Sequence, residues 1–309
     1  MSSITLLGPQ YREPNLRFAL RELGIPGPLV AITAGWQERE GETEELRAHV
    51  GAEVVDLQLY ARTEQVFSRD EALQTAHRRR QARLAEMQDL YRLRLEHAKD
   101  AARELLERDG DPVLLRRARR ASLRALRMLD REHLHAIERE HAAYRRELRP
   151  QQRASVIPHI DAIRKLIEAA AAVLVAGGHV AVLVNRLRLF DVRRLIAGKP
   201  VIAWSAGAMA ISERIILFHD HPPQGAGSPE VFDAGLGLLP GVVALPQAQT
   251  RLALHDHDRI TLFARRFAPA HCLTLDHGTA LHWSGGRLRR SCASWRLSRQ
   301  GVLAEVRAP

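Results

Sequence analysis

Two blocks of short apolar runs alternating with helical stretches are separated by a long segment, from about Ser68 to Leu148, that carries no strand signal. In the first block, Ile4–Leu7 ends at Gly8-Pro9. Leu16, Ala19, Leu20 and Leu23 then recur at helical spacing up to Gly24, and Leu29–Ala34 is an apolar run closed by Gly35. Thr43–Val50 reads as a helix and Glu53–Tyr60 as a strand. The second block opens with a helix over Asp161–Ala170. It continues with an apolar strand over Ala171–Ala176, a helix over Leu187–Ala197 and a strand over Pro200–Trp204. Leu273–Asp276 and Ala280–Trp283 read as late strands, and Arg287–Val306 as a closing β region. Strands that alternate with helices and are apolar throughout predict a parallel sheet covered on both faces, hence an α/β class.

The separating segment is nearly free of Gly and Pro, apart from Asp109-Gly110-Asp111-Pro112. Its apolar residues (Leu73, Ala76, Leu84, Tyr91, Leu95, Ala102, then Leu114, Ala118, Ala121, Ala125) keep a period near 3.6. This predicts two antiparallel helices joined at Gly110 and ending before Pro150. The expected division is therefore an α/β domain of residues 1–64 and 151–309 with a helical-hairpin insertion at 65–150. The hairpin is either an arm for a second copy or a partner protein, or a lid over the domain.

Hydrophobic residues make up 46% of the 309, enough for a real core. The only cysteines, Cys272 and Cys292, match no zinc or redox spacing and read as reduced thiols. The start lacks a basic signal-peptide n-region, and the longest apolar stretch, Ala169–Ala176, is far short of the roughly 20 residues of a membrane span. A cytoplasmic protein that does not enter membranes is expected. The net charge of +10 comes almost wholly from arginine. No aromatic-basic interleaving accompanies it, so a solvated surface is expected rather than a nucleic-acid site.

The chemistry concentrates at Val201-Ile202-Ala203-Trp204-Ser205-Ala206-Gly207-Ala208. An apolar strand runs into a serine, small residues follow, and a helix begins, which is the pattern of a nucleophile elbow. The amide after the serine, that of Ala206, is placed to hold an oxyanion. At the end of the preceding strand, Gly177-Gly178-His179 would bring backbone close to a substrate, with Gly178 as the second oxyanion donor and Gly177 against the substrate. A plain helix N-cap at Ser205 and a plain tight turn at the glycine pair are the competing readings.

Together with Gly235-Leu236-Gly237-Leu238-Leu239-Pro240-Gly241 and Asp276-His277-Gly278-Thr279-Ala280-Leu281, these motifs resemble peptidase family S51. That family includes dipeptidase E and cyanophycinase and belongs to the class I glutamine amidotransferase-like superfamily. The resemblance covers about 4–60 and 160–285. It implies a flavodoxin-like three-layer sandwich with a mostly parallel sheet. It also implies a Ser-His-Asp/Glu hydrolase without metal or organic cofactor, acting on a small peptide or amino-acid derivative. Ser205 matches the nucleophile, and Asp220 matches the acidic member. The family's histidine does not carry over: Gln247 stands in that segment, and an amide cannot accept a proton at neutral pH. Gln247 is retained as a substrate-binding candidate. His179 is the first replacement base, with His219, His221, His255 and His257 as further choices. A non-catalytic S51-like binder and metal binding by the two His-Asp-His triplets, 219–221 and 255–257, are the other accounts.

Overall fold

The computed structural model describes residues 3–218 and 229–309. In chain order the first block is β1 (Ser3–Leu7), α1 (Leu16–Glu22), β2 (Leu29–Ile32), α2 (Glu44–Val50), β3 (Val54–Asp56) and α3 (Leu59–Arg69). The hairpin follows as α4 (Glu71–Glu107) and α5 (Pro112–Leu148). Then come α6 (Ile157–Ala169), β4 (Ala172–Val175), α7 (Val180–Leu189), α8 (Val192–Leu195), β5 (Val201–Trp204) and α9 (Ala206–Ile211). The chain continues through β6 (Arg214–Leu217), β7 (Glu230–Ala234), β8 (Val242–Pro246), α10 (Ala248–Arg251) and α11 (His257–Phe267). It closes with β9 (His271–Leu275), β10 (Ala280–Ser284), β11 (Arg287–Cys292), β12 (Trp295–Leu297) and β13 (Leu303–Glu305).

The central sheet has the order β11-β10-β1-β5-β4-β2-β3. Its five strands from β1 to β3 are parallel; β10 runs against them, and the edge strand β11, antiparallel to β10, runs with them. Side chains alternate across a strand, so each apolar run feeds two cores. Leu7, Leu29, Ala31, Leu174 and Ile202 face α1 and α2. Leu6, Val30, Ile32, Val173 and Ala203 face the opposite layer, which includes α6, α7 and the hairpin. The sheet is thus sandwiched between helices, as the sequence pattern predicts. A second sheet, β13-β12-β9-β8, and the pair β6-β7 lie outside it; β8, β6 and β7 are strands that the sequence pattern did not reveal.

Several boundaries differ from expectation. The strand read over Glu53–Tyr60 stops at Asp56, and Leu59 already begins α3. Gln58 takes a left-handed conformation there, and the Asp56 carboxylate accepts its amide at 2.6 Å. The helix read over Leu187–Ala197 starts at Val180 and breaks at Asp191, another left-handed residue. The two late strands belong to different sheets, β9 to the smaller and β10 to the central one.

Each hairpin helix has 37 residues, about 55 Å at 1.5 Å per residue. Asp70 caps α4 by accepting the Leu73 amide, and Arg153 and Ser155 hold its carboxylate at 2.6–2.7 Å, which pins the hairpin root. Asp111 caps α5 through the Val113 and Leu114 amides, with Pro112 in the first turn. The hairpin is docked on the domain over much of its length. Leu73, Tyr91, Leu95, Leu126 and Leu129 are buried in the main core.

Three polar clamps reinforce that contact. Arg266 of α11 makes a bidentate pair with Asp130 of α5 at 2.6 and 2.7 Å and also donates to the Tyr91 hydroxyl. Arg188 of α7 pairs with Asp233 of β7, which His141 of α5 joins at 3.0 Å. Arg80 of α4 donates to the Asn185 side chain at 2.9 Å. A buried ion pair of this kind costs much to desolvate, and breaking it leaves one charge stranded. Asp130→Asn is therefore expected to destabilise the fold by about 3–5 kcal/mol, read from the urea midpoint at constant slope.

His133 stacks on Tyr91 with ring centres 3.9 Å apart and bonds Gln88 at 2.8 Å. Burial holds its pKa down at about 4, against an ordinary 6.5, although Asp130, Glu230 and Asp233 push it back up. The folded state thus keeps this ring neutral where the unfolded chain would protonate it. The stability it contributes is complete above pH 6.5 and is lost as pH falls towards about 4. Thermal melts should show the midpoint falling between pH 7 and pH 4.5, with a shallower fall in His133→Gln.

Candidate functional site

The parallel strands β1, β5, β4 and β2 end at one edge of the sheet, and the loops that follow them build the cleft. Val201–Trp204 are buried and stop at Ser205, which holds φ 52° and ψ −127°. A non-glycine residue there is strained by about 1–3 kcal/mol and persists only where its surroundings over-determine it. Two glycines do so. A Cβ on Gly207 would lie 2.2 Å from the Val175 carbonyl oxygen, so only glycine lets α9 sit on the end of β4. A Cβ on Gly177 would meet the Ser205 Cβ at 2.8 Å. The serine is therefore wedged between its own helix and the glycine pair after β4, as a nucleophile elbow requires.

The cleft has a volume of about 560 Å³, and Ser205, Gly177 and Gly178 line it. Among the described residues, the Ala206 and Gly178 amides donate no hydrogen bond, and the Ser205 hydroxyl is likewise unpaired. Ser205 is half-buried and Gly178 exposed, so a substrate carbonyl can approach from solvent.

The base candidates are less concentrated. His179 is exposed; its amide donates to the Gly35 carbonyl at 2.7 Å, and its Nδ1 accepts the Val182 amide at 3.4 Å, capping α7. Its ring is not among the residues lining the cleft. His257 bonds the Gly301 carbonyl through Nδ1 at 2.9 Å, and neither it nor His255 lines the cleft. Asp220, His219 and His221 lie outside the described residues. Among the described residues no cluster of three or more His, Cys, Asp or Glu is arranged to hold a metal ion.

Gln247 is half-buried and left-handed at the start of α10, at φ 58°. Its Nε2 donates to the Tyr11 hydroxyl, and Tyr11 lines the Ser205 cleft. Gln247 thus reaches the cleft wall through Tyr11. Beside it, the Tyr11 ring meets His277 edge-on at 5.1 Å. Asp276 follows β9 and accepts the Gln249 amide at 3.0 Å; among the described residues its other carboxylate oxygen is buried without a hydrogen-bond partner. Burial pushes the Asp276 carboxyl up from its ordinary value.

Sequence reasoning missed Tyr11, Trp36, Glu42, Glu45 and His49, all of which line the cleft. The signal for Tyr11 was available. It follows β1, and loops after the carboxyl ends of parallel strands frame the crevice. Nothing in the sequence pointed to the outward residues of α2.

A sequence model of peptidase family S51 matches residues 129–291, a span that begins inside α5 and contains Ser205, the glycine pair and Gln247. Among solved structures, a peptidase from an acI-B1 Actinobacterium aligns at 14% identity and a TM-score of 0.48, covering 100% of this chain and 95% of that one. A protein from Listeria monocytogenes EGD-e described as a candidate peptidase E aligns at 12% identity and a TM-score of 0.45, covering 96% of this chain and 100% of that one. No curated protein matches the sequence.

The crowding around the elbow makes one substitution diagnostic. Gly207→Ala places a methyl group against backbone oxygens of β4 at 2.2 and 2.7 Å, which cannot rotate away. Overpacking of this kind is expected to cost about 3 kcal/mol in urea unfolding, whereas the neighbouring Ala208→Gly should cost only about 1 kcal/mol.

Proposed function

Because the chain belongs to peptidase family S51, we propose that it hydrolyses an amide bond in a small peptide or amino-acid derivative, with Ser205 as the nucleophile. The observation that carries this reading is the strained φ of Ser205, held by Gly177 and Gly207 over an open cleft. Strain of this sort persists at functional turns and has no packing benefit of its own.

In this reading the Ser205 oxygen attacks the substrate carbonyl carbon while its proton passes to a base. The carbonyl oxygen, now negative, is met by the Ala206 and Gly178 amides, which no other acceptor among the described residues occupies. Collapse expels the amine, which takes a proton, and water then hydrolyses the acyl-enzyme. Asp220 is the candidate acid that orients the base. His179 is the candidate base; while its Nδ1 accepts the Val182 amide the ring proton sits on Nε2, so taking the serine proton requires the ring to give up that cap. Gly177 and Gln247, the latter through Tyr11, shape the cleft wall. The hairpin's outward face, with Leu90, Leu93 and Met128 exposed, is the candidate contact for a second copy or a partner.

One observation favours a second reading. Gln247 replaces the expected histidine and is already bonded to Tyr11, so the family's proton acceptor is missing where it is normally supplied. A cleft retained for binding alone would look like this. A fluorophosphonate probe separates the two. The hydrolase reading expects stoichiometric labelling that disappears in Ser205→Ala and slows by roughly 10²-fold or more in the variant lacking the true base, with His179→Ala the first to measure. Folded protein that takes up no probe supports the binding module.

A further inference from the structure

Positive charge is unevenly placed along this chain. Residues 112–131 of α5 hold seven arginines and one carboxylate, Asp130, which is already committed to Arg266. Nearer the root of the hairpin, arginines of α4 meet glutamates of α5, as in Arg79–Glu147, Arg83–Glu140 and Arg94–Glu132. Among the α5 arginines close to the tip that exchange stops. Arg116 and Arg120 make no hydrogen bond or ion pair among the described residues. They stand four positions apart on one helix face, where like charges repel. Arg119, beside them, donates to the Leu105 and Leu106 carbonyls at 2.6 and 3.0 Å. Arg265 of α11 donates to the Arg299 carbonyl at 3.0 Å. Those bonds fix two guanidinium planes against backbone and bring no carboxylate to cancel their charge.

These four arginines converge on one groove of about 210 Å³ between the hairpin tip and α11. Leu106, Leu123 and Leu262 supply apolar lining, and no carboxylate lines it. Arg127 adds a cation next to Arg265, whose carbonyl it binds at 3.0 Å. A concave site of one charge sign with low-dielectric walls focuses its field on ligands of the opposite sign. Guanidinium forks pair with phosphate oxygens two at a time. An acidic peptide offers one charge per acidic residue, whereas a phosphate chain packs several charges and acceptor oxygens into a space this small. No aromatic side chain lines the groove, so a base would find no stacking surface in it.

We infer that the groove formed by Arg116, Arg119, Arg120 and Arg265 binds an oligophosphate, either free or as the phosphate chain of a nucleotide. The groove shares no lining residue with the Ser205 cleft, so the inference stands whether or not Ser205 is a nucleophile.

Calorimetry and thermal shift on the full chain test this, with tripolyphosphate and ATP as the probes. Both should bind and raise the melting midpoint. ATP matching tripolyphosphate identifies the phosphate chain as the whole ligand. ATP tighter by about tenfold or more identifies a nucleotide whose base packs outside the groove. Arg116→Gln with Arg120→Gln should weaken tripolyphosphate by about tenfold or more, since two charge-assisted donors are lost. Arg21→Gln with Arg287→Gln removes the same charge outside the groove and should cost about twofold or less at physiological salt. All four side chains are exposed, so without probe both variants should melt within about 2 °C of the wild type, which separates lost binding from lost fold. No binding of tripolyphosphate at millimolar concentration by either measurement overturns the inference. Equal weakening in the two double variants also overturns it, because it marks general surface charge instead of a site.

Discussion

At Ser205 the chain must leave a buried strand, reverse into a helix and keep a hydroxyl above the sheet within a single residue. That is possible only if neighbouring backbone comes closer than a Cβ allows. Gly207 lets α9 touch the Val175 and Ala176 carbonyls, and Gly177 lets the loop after β4 touch the serine itself. The positive φ is costly alone, but it is held from both sides by strands whose side chains are fully buried. The same closeness brings the Gly178 backbone to the cleft and sets Ala206 beside Ser205, and among the described residues neither amide donates a hydrogen bond. The geometry needed for acyl chemistry and the packing of the two strand ends are therefore one constraint.

The hairpin depends on a different balance. Helices of this length with so many charges gain little from one narrow apolar stripe, and isolated helices in water draw limited stability from propensity. Here the stripe is buried in the main core, and Asp130, Asp233 and Asn185 each receive an arginine from across the interface. The Arg266–Asp130 and Arg188–Asp233 pairs are each hydrogen-bonded at more than one atom, which offsets part of their desolvation, whereas Arg80 meets Asn185 through one nitrogen. They also fix the rotation of each helix about its axis, which an apolar stripe alone leaves loose. The hairpin, read from the sequence as either an arm or a lid, packs along β7 and α11.

Much of the fold was legible before any coordinates. Apolar runs closed by glycine marked β1, β2 and β4, the apolar run into Ser205 marked β5, and the 3.6 period with Gly110 marked the hairpin. The elbow was legible because its steric demand is written into consecutive small residues. The second sheet was legible only in part: Leu273–Asp276 and Arg287–Val306 marked β9, β12 and β13, but β8 went unread, and which sheet each strand joins is set by pairing between distant segments. The short helices α3 and α7 were misplaced because left-handed residues at Gln58 and Asp191, rather than glycine or proline, set their ends. The cleft wall was invisible because Glu45 and His49 read as ordinary polar positions of a helix and Glu42 as part of the loop before it.

What the sequence by itself determined is what depends on neighbours along the chain: the class of fold, the helical hairpin, and a serine held in a tight turn by small residues. Periodicity and steric allowance are local properties, so they survive in one dimension. Only the tertiary structure decided which side chains share the cleft with Ser205, that Gln247 reaches it through Tyr11, and that His179 caps a helix instead of lining the wall. Those outcomes depend on how loops from separate strands converge at one edge of the sheet. Strand order sets that convergence, and no short window of the sequence contains it.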